Sequence, residues 1–164
     1  MSENVQMSEK TMGIARIIDQ IPIFSDLPTA EVDQLASYFR LKKWATGETL
    51  FNEGENSHDL IFVVTGTVSV RKKDKAGQQK EIAKLEGKNV LGEVAFVDKS
   101  LRSATAVAIS EATGIAMSQE HLDSICDFNP SLAIKLLKKL NRLLSLKLRK
   151  TSKEFAEVAA SVEK

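Results

Sequence analysis

From Phe39 to Met117 the apolar residues recur with a period close to two, in short β-branched or aromatic runs separated by glycine. This pattern constrains the fold more than any other, because a period of two places alternate side chains on opposite faces of a strand, and glycine-marked breaks between short runs mark tight antiparallel turns. The runs predict strands over 40–45, 49–52, 60–64, 67–73, 79–85, 104–110 and 113–117, with Gly47, Gly54 and Gly66 at turns. Between two of them, Lys-Lys-Asp-Lys-Ala-Gly-Gln-Gln over 72–79 reads as a solvated hairpin tip. So many short strands must hide their edges, which predicts a barrel or jelly roll.

Helical patterns flank this region. Met12, Ala15, Ile17 and Ile18 fall at helical spacing over 11–20, and Pro22 closes that segment. Pro28-Thr29, with Glu31 and Asp33 in the first turn, opens a second helix whose apolar face is Val32, Leu35, Ala36 and Phe39. Ser118-Gln119-Glu120 starts another, and Asn129-Pro130 opens a long helix over about 131–155. On that helix Ala133, Leu137, Leu140, Leu144, Leu148, Thr151, Phe155 and Val158 follow three-four spacing, while Leu132, Leu136, Leu143 and Leu146 lie off the line. One face is expected to cover the β structure and another a partner. The fold class is therefore α+β: a jelly-roll-like antiparallel β barrel, about 39–117, with N-terminal helices and a long C-terminal helix. Residues 1–10 and 156–164 read as tails around one domain over 11–155, which suits a chain of 164 residues.

Charge and composition exclude several functions. With 23 basic and 22 acidic residues the net charge is +1, so no global field recruits nucleic acid or membrane. The helix over 131–153 carries a local +8, read as a solvated face, and nucleic acid is not an expected partner. The longest apolar run, Leu60 to Val64, is far too short to span a bilayer, and the polar N-terminus lacks a secretory signal. The single Cys126, beside Ile125, cannot form an internal disulfide and suits a reducing, cytoplasmic location. No catalytic motif emerges: Gly87-Lys88 is followed by Asn89, and Ile82 stands where a phosphate-binding loop needs its first glycine. Neither a metal site nor a nucleophile triad is supported by the two separated histidines, so no enzyme, metal or cofactor is expected. Trp44 and Tyr38 read as core residues and His58 as a solvated histidine.

One segment does carry binding chemistry. Leu91-Gly92-Glu93-Val94-Ala95-Phe96 is followed, nine positions after the glutamate, by Arg102-Ser103-Ala104-Thr105. Gly92 lets backbone approach a ligand, and Val94 to Val97 reads as one helical turn whose free amides favour an anion. Arg102 offers a planar fork of donors to a phosphate, with Ser103 beside it. Glu93 would repel a phosphate but accepts from a sugar hydroxyl. The expected ligand contacts are Gly92, Glu93, Val94, Ala95, Arg102, Ser103 and Ala104. If Arg102 points inward, alternation turns Thr105 outward. The competing reading makes Glu93 and Arg102 an internal ion pair of an interaction domain that binds no nucleotide.

This segment resembles the phosphate-binding cassette of the cyclic nucleotide-binding domain family, which includes the bacterial catabolite activator protein and the regulatory subunits of cAMP-dependent protein kinase. Gly47 to Glu55 resembles the family's glycine-punctuated hairpin, Leu60 to Val68 its central strand pair, and Ile21 to Leu27 its helical lead-in. The likeness covers roughly 14–150, with Leu101 standing where a proline is frequent. It implies a jelly-roll domain that receives a cyclic nucleotide, with cAMP favoured over cGMP as ligand, and shifts its C-terminal helix. That helix would meet a second copy or an effector protein. No DNA-binding domain follows, so a stand-alone receptor is expected. Asn141, Ser145, Lys147, Leu148, Thr151 and Ser152 are the candidates for contact with the base.

Overall fold

The computed structural model describes residues 8–162. Among them, α1 (Glu9–Ile18) and α2 (Thr29–Ala36) precede strands β1 (Arg40–Trp44), β2 (Thr49–Phe51), β3 (Leu60–Thr65), β4 (Thr67–Lys73), β5 (Gln79–Glu86) and β6 (Asn89–Leu91). Then come α3 (Glu93–Asp98), β7 (Thr105–Ala108), β8 (Ala112–Met117), α4 (Gln119–Phe128) and α5 (Pro130–Val162). The strands form two four-stranded antiparallel sheets, ordered β1-β8-β3-β6 and β2-β7-β4-β5.

The expected jelly-roll arrangement is present, built as two four-stranded sheets and not as a closed barrel. At one corner the chain changes sheet twice. Gly66, at φ +87°, carries it from β3 to β4, and residues 109–111 carry it back from β7 to β8. The two crossings touch: Ile109 N donates to Thr67 O at 2.9 Å and Thr67 N to Ser110 Oγ at 2.9 Å. A Cβ on Gly66 would stand 2.3 Å from Glu111 O, so only glycine lets the crossings meet.

β3 explains the continuous apolar run. Leu60 and Phe62 face the helices, packing with Phe24, Phe39, Ile115 and Leu136, while Ile61 and Val63 face between the sheets against Trp44, Val68 and Leu91. A strand buried on both faces loses the polar alternation of a half-exposed one. Phe62 stands 5.3 Å from Phe24 and 5.9 Å from Phe39 between ring centroids, within the range of favourable aromatic pairs.

Several boundaries differ from expectation. α1 starts at Glu9, with the Ser8 hydroxyl accepting from Thr11 N, so Glu9 and Lys10 belong to the helix and not to a tail. Residues 1–7 of that expected tail lie outside the described residues. β6, three residues long, was too short to register as a run. α5 opens under an Asn129 cap, with Oδ1 accepting from Leu132 N, and continues to Val162 where a tail from 156 was expected. The segment from 156 to 162 holds neither glycine nor proline, so nothing stops the helix. Its buried stripe is Leu132, Ala133, Leu136 and Leu140; Leu148, Phe155 and Val158 lie exposed on the distal half.

Candidate functional site

Gly92 turns the chain from β6 into α3 in the left-handed region, at φ +76°. A Cβ there would lie 2.2 Å from Arg102 Nη1 and 2.7 Å from Asp59 O. The glycine therefore leaves room for the guanidinium as well as for the turn. No side chain caps α3, so its first amides are left for other acceptors.

Arg102 is only 4% exposed. Its Nε donates to Ser57 Oγ at 2.9 Å, its Nη2 to Asp59 O at 3.0 Å and its Nη1 weakly to Gly92 O at 3.4 Å, and its head lies over the Phe51 ring at 4.2 Å. Its backbone is clamped to the 52–59 loop: Arg102 N donates to Glu55 O at 3.0 Å and Gly54 N to Arg102 O at 2.8 Å. Burial pulls the guanidinium below its usual pKa, opposed by the charges of Asp59, Glu55 and Glu93. Its hydrogen-bond partners are all neutral oxygens, and among the described residues no carboxylate comes within ion-pair distance. A buried cation without a counterion is costly, and an incoming anion relieves that cost.

Glu93, also buried, pairs with a different cation. Lys147 on α5 donates to Glu93 Oε1 at 2.6 Å and to Val90 O at 2.8 Å. The internal Glu93–Arg102 pair of the competing reading is thus not formed. The reason is geometric: Arg102 is turned towards Asp59 and Ser57, while α5 crosses the start of α3 and brings Lys147 to the carboxylate.

All seven residues expected at the site line one cavity of about 430 Å³: Gly92, Glu93, Val94, Ala95, Arg102, Ser103 and Ala104. Phe51, Val70, Leu85 and Leu91 add an apolar wall, and Lys147, Lys150, Thr151 and Glu154 border it from α5. Of the six base candidates only Lys147 and Thr151 reach it. Lys150 and Glu154 were missed, although 147, 150, 151 and 154 share one helix face once the phase is known. Ser103 is exposed at the cavity, and its carbonyl accepts from Lys72 Nζ at 2.6 Å. Thr105 contradicts the expected outward orientation. It is buried, with Oγ1 accepting from Glu53 N at 2.9 Å and Gln79 Nε2 at 3.3 Å, because a bend at 103–104 resets the alternation before β7 begins.

Other expectations also change. His58 is half-buried, with Nε2 shut off from solvent and without a partner, not a solvated histidine. Cys126 is a free, exposed thiol. On the basic helix, Lys135, Lys139, Lys147, Lys150 and Lys153 pair with Glu31, Asp26, Glu93, Glu154 and Glu157, which neutralises much of the local charge. Among the described residues no cluster has the make-up of a metal site, and no helix is long and apolar enough to cross a membrane.

A two-sheet roll thus sets a buried arginine at an apolar-walled cavity bordered by the long helix α5. Residues 41–129 match the cyclic nucleotide-binding domain model, and the chain belongs to that family. It is 30% identical over 123 residues to the cyclic AMP receptor protein of Thermus thermophilus, covering 75% of this chain and 57% of the relative. To the cAMP-dependent protein kinase regulatory subunit of Mycosarcoma maydis it is 28% identical over 93 residues, 57% of this chain and 18% of that one. The chain thus spans little more than half the length of the bacterial receptor. Among solved structures, a cyclic nucleotide-binding domain from Methylobacillus flagellatus superposes with a TM-score of 0.78 at 28% identity, covering 88% of this chain and 81% of that one. The regulatory domain of Toxoplasma gondii protein kinase A with cAMP, at 17% identity and TM-score 0.66 over 81% of this chain and 50% of that one, shares the fold.

Proposed function

We propose that this domain is a cytoplasmic receptor for a cyclic nucleotide, cAMP in preference to cGMP, and that binding changes the position of α5. Arg102 carries the reading: a cation 4% exposed, held by neutral oxygens at the cavity wall, is arranged for an anion that the protein does not itself supply. A cyclic phosphate would take Arg102, Ser103 and the first amides of α3. Glu93 would accept from the ribose 2′-hydroxyl, and the base would pack on Val70 and Leu85. The name of the Thermus relative supports cAMP as the ligand.

In this reading the domain regulates and does not catalyse. Occupancy favours one position of α5, and the exposed Leu148, Phe155 and Val158 carry that change to a second copy of the chain or to an effector protein. Titration calorimetry with cAMP, cGMP and 2′-deoxy-cAMP tests it. Wild type binds cAMP most tightly, and Glu93→Ala weakens cAMP while sparing the 2′-deoxy analogue. Absence of heat with every cyclic nucleotide, in folded and nucleotide-free protein, refutes a receptor role.

A further inference from the structure

Lys147 occupies a singular place on α5. Its ammonium joins three elements, reaching Glu93 at the start of α3 at 2.6 Å and Val90 O on β6 at 2.8 Å. The last buried side chain of α5 is Leu140, seven residues earlier. Beyond Lys147, the polar contacts of the described residues of α5 are internal to the helix: Lys150–Glu154 at 3.8 Å, Lys153–Glu157 at 4.0 Å and Ser161 Oγ to Val158 O at 2.7 Å. Lys147 is therefore the final polar tie between α5 and the roll, and it is made to a residue that lines the ligand cavity.

The tie also sets the state of Glu93. Lys147 takes Oε1 only, and the described hydrogen bonds leave Oε2 for a ligand hydroxyl. A carboxylate sharing a cavity with an incoming phosphate needs a nearby cation to offset repulsion, and Arg102 is turned to Asp59 O and Ser57. Resting on the assignment of Glu93 to the ribose, we propose that Lys147 is a positioning residue. It turns and neutralises the Glu93 carboxylate for the 2′-hydroxyl, and through the same bond makes the placement of α5 depend on what occupies the cavity. It reaches the ligand through Glu93.

The test is a double-mutant cycle on the whole chain, with cAMP affinity measured for wild type, Lys147→Met, Glu93→Gln and the double variant. Lys147→Met is expected to weaken cAMP binding ~10-fold, a scale typical of coupling between contacting residues, while Lys147→Arg stays within ~3-fold of wild type. In the Glu93→Gln background the same lysine change should alter affinity less than ~2-fold. Hydrogen exchange of the amides over 141–155 supplies a second readout. Without ligand, exchange there should be faster in Lys147→Met than in wild type, and cAMP should slow it in wild type alone. Lys147→Gln carries the same expectations should the methionine variant fold poorly. Tighter binding in Lys147→Met, an equal loss in both backgrounds, or unchanged exchange overturns the proposal. Failure of the receptor reading itself registers differently, as wild type that binds no cyclic nucleotide while ligand-free exchange still responds to Lys147.

Discussion

Arg102→Met separates what the guanidinium does for the ligand from what it does for the fold. The substitution removes two good charged hydrogen bonds, to Ser57 and Asp59 O, contributing about 1.5–3 kcal/mol each, and the ring contact with Phe51, about 1 kcal/mol. Against this stands the penalty for keeping a guanidinium out of water without a counterion, several kcal/mol, which methionine does not incur. Methionine also fills the space beside Phe51 with a polarisable side chain. The opposing effects nearly cancel, so ligand-free stability should change by no more than about 2 kcal/mol. Binding has no such compensation, and affinity should fall by about 2–5 kcal/mol, at least ~30-fold. Urea denaturation with and without cAMP reads both quantities. At a cAMP concentration about 100 times the wild-type Kd, the wild type gains about 2.7 kcal/mol and the variant under about 1 kcal/mol. Equal gains would remove Arg102 from the site, and a ligand-free loss above about 4 kcal/mol would show that the buried cation holds the fold together.

Gly66→Ala should destabilise the chain by about 3 kcal/mol, because a Cβ at φ +87° meets the backbone at Glu111 and Ala112; an unchanged urea midpoint would refute the corner argument. Glu55 titrates below its ordinary 4.5, chiefly because it accepts from Asn52 N. A lowered folded pKa stabilises above the unfolded value and loses that stabilisation as pH falls through the folded one. The difference in thermal midpoint between wild type and Glu55→Gln should therefore narrow below about pH 4.5; a pH-independent difference would show that the bond does not hold the turn. If copies of the chain pair through the distal stripe of α5, Phe155→Ser with Val158→Ser should lower the mass read by light scattering to that of a monomer while leaving the far-UV circular dichroism unchanged, since both side chains are exposed in the isolated chain. Identical masses would exclude the distal stripe as the contact between copies.

The site was more legible in the sequence than the path between its parts. Gly92 and Arg102 sit ten positions apart, so local chemistry was enough to collect the part of the cavity lining that runs from Gly92 to Ala104, but not its apolar wall or its α5 border. Lys147 lies 54 positions from Glu93, and its role depends on the rotational phase of a helix whose leucines support more than one register. Thr105 was misplaced for a related reason: alternation is reliable only while backbone stays extended, and the bend at 103–104 breaks it. The strands were readable because most are half-exposed or flanked by glycine. The close approach of Gly66 to Glu111 joins distant crossings between the sheets, a contact that no short window reveals.

The length of α5 has a mechanical consequence. From 148 to 162 it extends about 22 Å at the usual rise per residue, with no buried side chain along that stretch. A tilt of about 10° at its root would carry the tip about 4 Å sideways, roughly half the spacing between packed helices. In the proposed receptor the projecting helix would act as a lever with gain: a displacement too small to disturb the roll would become, at Phe155 and Val158, the difference between side chains that interlock with a partner and side chains that collide.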